Sequence, residues 1–347
     1  HCNDWHTALV PVLLKAKYYN QYPRAKSVMT IHNLRYQGFF NIDKLRYLTG
    51  LDNSLFTVDG LEFYGGANLL KGGIVFADRV TTVSPTYAKE TLQSAFGERL
   101  DGVLSTKGWN YSGILNGLDY NSYCPWKDPD IAQNYSPGNM TGKEFCKHKL
   151  QKELGLEQEI KAPLLSIVSR LVPQKGIDLV MGCAEELLSN ENFQFAVLGT
   201  GDSVYEDYFR LLAEKYTGRF AFNCAFDEKL SRRIYSGSDL FLMPSEFEPC
   251  GLSQLIAMRY GTLALVRETG GLYDTVRPYN ELDGSGYGFS FVPYNAEDLA
   301  FTVRRAISIY RDRPMLWQTL VQRAMALDFS WNKSAREYAG LYSSLVN

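Results

Sequence analysis

The sequence predicts an α/β protein built from two Rossmann-like, doubly wound domains, the N-terminal one incomplete. Three observations carry that reading. The second half alternates short apolar, β-branched runs with amphipathic stretches, and the first part shows less of the same pattern. Between them lies NYSGILNGLDYNSYCPWKD (110–128), rich in Gly, Asn, Asp and Pro, which is turn chemistry suited to a boundary. Continuous apolar strands separated by helices signal a parallel sheet covered on both faces.

The chain begins at His1, and HCNDWHTALV opens abruptly, as though just past a buried strand, so the start of a larger protein is expected to be missing. A helix is expected near 7–18, a strand at SVMTIH (27–32), a Gly-rich helix start at GGANLLKGGIVFA (65–77) and a strand at RVTTVS (79–84). This part, 1–118, reads as the remainder of an N-terminal domain. The second domain, 119–325, offers six strands: LLSIVS (164–169), FQFAVLG (193–199), RFAFNCAF (219–226), DLFLMPS (239–245), TLALVRE (262–268) and YGFSFVP (287–293). Helical patterns fill the gaps near 177–189, 204–216, 227–236 and 251–260. After 295 the pattern is all helical, with helices near 295–311, 314–327 and 331–345 and DFSW (328–331) between the last two.

With 347 residues the chain can bury two sizeable cores, and 45% apolar with 21% charged residues is ordinary for a globular protein. A net charge of −2 argues against a non-specific grip on nucleic acid or anionic membrane. No apolar run approaches the roughly 18 residues of a membrane span. Six scattered cysteines without a CxxC pair fit reduced, structural thiols, and a reducing cytoplasm is the simplest compartment.

Four loops at predicted strand ends hold the chemistry, and open parallel sheets bind ligands at those ends. In SRLVPQKG (169–176), Arg170 and Lys175 suit a diphosphate, although two exposed cations on a loop would read the same. LGTGDS (198–203) looks like the start of a GxG fingerprint but lacks its third glycine, and a simple tight turn explains it as well. RETGGLYDTV (267–276) places Thr269, Gly270 and Gly271 before a helix, either as an anion nest or as a turn. In SEFEPCGL (245–252), Glu246 and Glu248 stand two apart and share a face in extended backbone. They could be catalytic carboxylates, ligand-holding acceptors or a solvated lip. Together the four loops describe a nucleotide-diphosphate ligand with something reactive beyond its phosphates.

SRLVPQKG, SEFEPCGLSQL with RETGGL, VTTVSPTYAKE, IHNLRYQG, the opening HCNDWHT and the closing DFSW resemble bacterial glycogen synthase and plant starch synthase, the glucan synthases that use ADP-glucose. The resemblance implies a glycosyltransferase B fold and a retaining transfer of glucose from ADP-glucose to the non-reducing end of an α-1,4-glucan. It implies no metal and no cofactor beyond the donor substrate. The expected partners are ADP-glucose and a glucan such as glycogen, starch or a maltooligosaccharide, with neither nucleic acid nor membrane. By the same resemblance, Arg170 and Lys175 hold the diphosphate, Glu248 stands near the donor sugar with Glu246 left as a solvated lip, His32 faces the sugar and Asp4 lies near the reaction centre. Thr269, Gly270, Gly271 and Leu272 meet phosphate and sugar hydroxyls, and Gly199, Gly201 and Asn116 complete the donor-binding set. The C-terminal helix, 326–347, packs back on the N-terminal domain.

Other readings stand beside these. Asp4 could be a helix N-cap, His32 a satisfied histidine at a turn, and Cys250 a packed thiol rather than a nucleophile. His1 and His6 could suggest a metal pair, but no matching acidic or His/Cys cluster follows. Two departures matter. The lysine-and-glycine loop that begins this family's N-terminal domain is not in the sequence, and Ile256 stands where related retaining transferases carry a second glutamate. The competing functions are a retaining glycoside hydrolase, which would need no diphosphate cradle, and a catalytically silent nucleotide- or glucan-binding fragment.

Overall fold

A computed structural model describes residues 1–346, which divide into two compact units: His1–Asn116 with the segment from Asn332 onward, and Gly117–Trp331. In the first unit four parallel strands, in the order β1 (Cys2–Asn3), β2 (Val28–Ile31), β6 (Arg79–Thr82) and β7 (Tyr111–Gly113), form the main sheet. The opening residues are therefore themselves a strand, with Cys2 opposite Met29. A small antiparallel sheet joins β3 (Phe39–Phe40), β5 (Gly66–Asn68) and β4 (Glu62–Phe63). The stretch expected to start a helix near 65 thus begins as a strand, and the helix runs Leu69–Phe76. Asn68 marks the change, because its side chain accepts the Lys71 amide and caps that helix.

The first unit's core gathers Val12, Met29, Ile31, Leu61, Leu70 and Ile74, all essentially out of water. Helix Trp331–Val346 is tied into this unit at several points. The Ser334 hydroxyl donates to the Leu115 carbonyl at 2.6 Å, and the Tyr342 hydroxyl lies 2.6 Å from Nδ1 of His1.

The second unit carries one six-stranded parallel sheet: β8 (Leu164–Val168), β9 (Gln194–Leu198), β10 (Phe220–Asn223), β11 (Leu240–Met243), β12 (Leu263–Arg267) and β13 (Phe289–Phe291). Their spatial order is β10-β9-β8-β11-β12-β13, so by order of appearance the sheet reads 3-2-1-4-5-6, the doubly wound dinucleotide-binding order. Each strand lies within one of the six apolar runs, because helices cover both faces and nearly every strand residue is buried. The direction of winding reverses between β8 and β11, where Leu165 stands opposite both Phe195 and Leu240. Ligands of such sheets bind outside the carboxyl ends of the strands at that reversal.

The opposite edge is pinned by buried charge. Asp239, just before β11, accepts the Leu164 amide at 2.8 Å and the Lys147 ammonium at 2.6 Å. Lys147 also donates to the Ile160 and Ala162 carbonyls at 2.9 and 2.6 Å and to the Tyr310 hydroxyl at 3.0 Å. Helix Thr141–Glu153, which supplies Lys147, also buries Lys143 against the Ser236 and Tyr260 carbonyls and the Thr262 hydroxyl. Burial pushes the Lys143 ammonium down to about 8, against the opposing pull of Asp239. Removing one partner of a buried ion pair leaves an uncompensated charge. Asp239→Ala is therefore expected to cost about 3–5 kcal/mol, read as a lower urea midpoint for the second unit. An unchanged midpoint would show that this pair does not hold the strands.

Candidate functional site

At the reversal between β8 and β11, a crevice of about 210 Å³ is lined by Ser169, Arg170, Lys175, Ser245 and Ser253 above the ends of the two strands. The residues after β8 leave as a loop and turn through Pro173–Lys175, and Gly176 takes a left-handed φ of +68° to open helix Ile177–Asn190. A Cβ on Gly176 would fall 2.0 Å from the Pro244 carbonyl oxygen, so only glycine lets this turn lie against the exit of β11. The approach is stitched by Gln174, whose carbonyl accepts the Glu246 amide at 3.0 Å and whose side-chain amide donates to Phe247 at 3.3 Å.

Lys175 is brought by this turn to Glu248, with Nζ 2.5 Å from Oε2. Glu248 is only 7% exposed and also accepts the Ser245 hydroxyl at 3.3 Å, whereas Glu246 is exposed. The two carboxylates therefore sit in different environments, one buried and paired and the other in solvent. Arg170 is exposed at the mouth of the same crevice and has no carboxylate partner among the described residues. A fixed ion pair beside an unpaired guanidinium leaves net positive charge facing the crevice.

Arg267, which closes β12, holds the carboxylate loop from behind. Its guanidinium donates to the carbonyls of Ser245 at 2.9 Å and Val292 at 3.3 Å, and to that of Glu246. Reading the sequence missed Arg267, Gln174 and Ser245. An arginine closing an otherwise apolar strand was the available signal for the first.

The glycine-bearing loops differ from a bare phosphate nest. The Gly271 amide donates to the Glu248 carbonyl at 3.0 Å, and a Cβ there would lie 2.1 Å from the Cys250 carbonyl. Leu272 is fully buried, and its amide bonds the Thr269 carbonyl at 3.0 Å, opening helix Gly270–Thr275. Thr269 through Leu272 thus lies against the Glu248–Cys250 segment. Gly199 and Gly201 follow β9, and a Cβ at either would meet the carbonyl of Ser169 at 1.8 Å or of Leu171 at 2.0 Å. That contact accounts for both glycines by close packing of two loops. Cys250 is buried beside the site.

In the first unit, Asp4 and His32 come together: the Asp4 carboxylate accepts the His32 amide at 2.8 Å, and the His32 ring lies 3.0 Å from Oδ1 of Asn3. Asn3, not Asp4, occupies the cap position of helix Asp4–Thr7, and Asp4 adopts a left-handed φ of +54°. His1 bonds Tyr342 and Thr30, and His6 stacks on Trp5 at 4.0 Å, so these two rings serve separate contacts. Among the described residues, no three His, Cys, Asp or Glu side chains gather as a metal-holding group. Asn116 is the half-buried last residue of the first unit's opening segment.

The profile of the family "Glycosyl transferases group 1" matches residues 152–317. Sucrose-phosphate synthase from Thermosynechococcus elongatus matches the fold at a TM-score of 0.63 with 20% identity, over 99% of this chain and 72% of that one. Fold and profile together define a glycosyltransferase of the B type, with two Rossmann-like units. The profile "Starch synthase catalytic domain" matches residues 1–106. The glycogen synthase of Lachnospira eligens is 50% identical over 349 residues, covering 99% of this chain and 73% of the relative. That of Bacillus licheniformis is also 50% identical, over 99% of this chain and 71% of the relative. The catalytic domain of starch synthase IV from Arabidopsis thaliana, solved with ADP and acarbose bound, superposes with a TM-score of 0.93 at 36% identity, over 100% of this chain and 72% of that one. The chain belongs to the glycogen synthase and starch synthase family and is a hexosyltransferase of glycogen or starch synthesis.

Gly176→Ala tests the approach that builds the crevice. Left-handed strain alone costs roughly 1–2 kcal/mol, and the overlap with Pro244 adds to it. The expected outcome is a lower unfolding temperature by calorimetry. A variant as stable as the parent would show that the turn can move aside.

Proposed function

We propose that this enzyme moves glucose from ADP-glucose to the non-reducing end of an α-1,4-glucan with retention at the anomeric carbon. The observation that supports this most is the meeting of Arg170, Lys175 and Glu248 at the strand-order reversal of the second unit. A diphosphate leaving group gains negative charge as the sugar departs, so fixed cations at that point favour the transition state over the ground state. Arg170 supplies a planar fork and Lys175 a point charge. Glu248 holds Lys175 in place before the donor arrives and stands beside the position assigned to the sugar.

In the proposed step the bond from the anomeric carbon to the phosphate oxygen breaks while a bond to the glucan 4-hydroxyl oxygen forms on the same face. The hydroxyl proton passes to a phosphate oxygen of the departing ADP. Glu248 and His32 position the sugar, with Asp4 fixing the His32 main chain through its amide. Thr269 and Gly270 are assigned to the donor through the loop that Gly271 and Leu272 anchor, while Gly199 and Gly201 act by keeping the Arg170 loop in place. Asn116 is assigned to the donor set on the family resemblance. We assign the chain to the cytoplasm, since all six cysteines are free and five are buried, which suits a reducing compartment. Among the described residues no helix is long and apolar enough to cross a membrane.

Titration calorimetry with ADP, with UDP as comparator and EDTA present, tests the donor site directly. ADP is expected to bind and UDP to bind far more weakly. Equal affinity would remove the nucleotide preference, and no binding of either would favour a silent glucan-binding chain. Lys175→Ala is expected to lower glucan-dependent ADP release by roughly 100- to 1,000-fold, the usual effect of losing one preorganised charge-stabilising group. Its glucan affinity should stay near that of the parent. Near-normal turnover would sink the role given to Lys175.

A further inference from the structure

A second and larger cavity, of about 780 Å³, opens at the starts of the strands, on the edge of the second unit's sheet opposite the crevice. It lies wholly within Gly117–Trp331. Helix Pro314–Met325 lines it with one stripe, Pro314, Trp317, Gln318, Val321 and Gln322, at the i, i+3, i+4, i+7 and i+8 spacing of a single face. Helix Thr141–Glu153 adds Lys143, Glu144 and Lys147, and the end of helix Ala296–Asp312 adds Tyr310 and Arg311. Ile160 and Lys161, ahead of β8, and Asp239, just before β11, complete the wall.

The floor holds more positive charge than it neutralises. Two ammonium groups, those of Lys143 and Lys147, are buried there around one carboxylate, Asp239. That carboxylate is in contact with Lys147, at 2.6 Å. Lys143 donates to neutral acceptors, the carbonyls of Ser236 and Tyr260 at 3.1 and 3.0 Å and the Thr262 hydroxyl at 2.9 Å. A buried ion that lacks a full counter-charge is costly, and burial accordingly holds the Lys143 ammonium down at about 8. At the rim, Lys161 and Arg311 are exposed and face the single carboxylate of Glu144. Arg311 also pairs with its neighbour Asp312 at 2.8 Å, outside the cavity. With four cations and two carboxylates along its walls, the cavity carries net positive charge.

Between floor and rim the walls are apolar, built from Met140, Ile160, Pro314 and Val321. Apolar walls with a few convergent polar groups, in a volume within the roughly 300–1,000 Å³ of ligand sites, describe a small-molecule pocket. Its rings do not suit a sugar. Trp317 is 7% exposed, with Phe289 stacked on it at 5.9 Å and Tyr310 edge-on at 5.0 Å, and the Lys147 ammonium stands over the Tyr310 ring at 5.2 Å. Those contacts use the ring faces on which a pyranose would rest. A cationic ligand would meet the surplus of ammonium groups. We propose that this pocket binds a small organic anion, an apolar body carrying a carboxylate or a phosphate monoester, at a site separate from the donor crevice. The anionic group is drawn to Lys161, Arg311 and the positive floor, the body lies on the apolar walls, and Gln318 and Gln322 offer amides to its polar substituents. Nothing in this site depends on the transferase reading above.

Anilinonaphthalene sulfonate, an apolar anion whose fluorescence rises out of water, serves as the probe on the full chain. With ADP in excess to cover the crevice, it is expected to bind one site per chain. Naphthoate or naphthyl phosphate should displace it, and neutral naphthol should do so about tenfold less well, for want of the charge. Displacement by the carboxylate alone, or by the phosphate alone, assigns the anionic group. Lys161→Glu and Gln318→Glu change exposed positions on different elements, so both variants are expected to melt with the parent. Each should raise the probe's dissociation constant about tenfold, by setting a like charge against it. Lys161→Arg should keep the parent's value. The pocket would be overturned by the absence of saturable binding, by a site that vanishes when ADP is added, or by naphthol displacing the probe as well as the two anions. Parental affinity in both glutamate variants would overturn it equally.

Discussion

The backbone of the loop after β8 lies against the exit of β11, and Gly176 is the point at which the two chains touch. With the glycine in its left-handed turn, Gln174 bonds both Glu246 and Phe247, and Lys175 falls beside Glu248. The other loops then close around this contact in sequence. Gly199 and Gly201 let the β9 exit pack on Ser169 and Leu171, Arg267 ties Ser245 and Glu246 to the end of β13, and Gly271 hangs the 269–272 turn from the Glu248 carbonyl. Apart from the Lys175–Glu248 pair, each of these contacts engages the main chain on at least one side, with the side chains of Gln174 and Arg267 donating to main-chain carbonyls. The side chains that face the crevice, Arg170 and Lys175 among them, are thereby carried on backbone that cannot shift without breaking several bonds at once, which is the preorganisation that charge stabilisation requires.

The rigidity of that upper edge depends on the lower one. Asp239 joins the starts of β8 and β11, the two strands that flank the reversal, through the Leu164 amide, and Lys147 neutralises it within the protein. An ion pair of this kind is a weak source of net stability against an apolar alternative. Its value lies in geometry, since it fixes which strand ends are level and therefore how the loops at the far ends meet. Lys143, with three acceptors around its depressed ammonium, extends the same pinning to the Ser236 and Tyr260 carbonyls.

The six strands of the second unit were legible because burial on both faces leaves a continuous apolar run with nothing to confuse it. Helix Thr141–Glu153 was not: TGKEFCKHKLQKE reads as polar because the face it buries carries Lys143, Lys147 and Gln151. Its pairing with carbonyls and Asp239 exists only after the chain has folded. The three strands of the small antiparallel sheet were missed for a different reason, since two or three residues are too few to display a period of two. At the site, the two cations and the pair of glutamates could be read as candidates from strand-end position and residue type, whereas Glu248 was singled out by the family resemblance alone. Which of two neighbouring glutamates turns inward could not be derived from alternation, because Glu246 and Glu248 have the same parity. The bend at Pro249 and the hold exerted by Gln174 and Arg267 decide it, and those are long-range contacts.

The first unit builds its exactness differently, through strain held by packing. Asp4 keeps its left-handed turn while accepting the His32 amide, and Trp5, its neighbour, fills the space that a side chain at residue 38 would need. Gly38 is followed directly by Phe39 and Phe40, and the Phe40 ring lies 6.1 Å from that of Trp5. The segment from His32 to Phe40 therefore carries the His32 corner at one end and strand β3 at the other. Gln37 and Asn68 fasten its middle to the strained, left-handed Glu98 turn. Relaxing either strained turn would free that segment at one end, which gives a physical reason for the first unit to keep conformations that cost it stability.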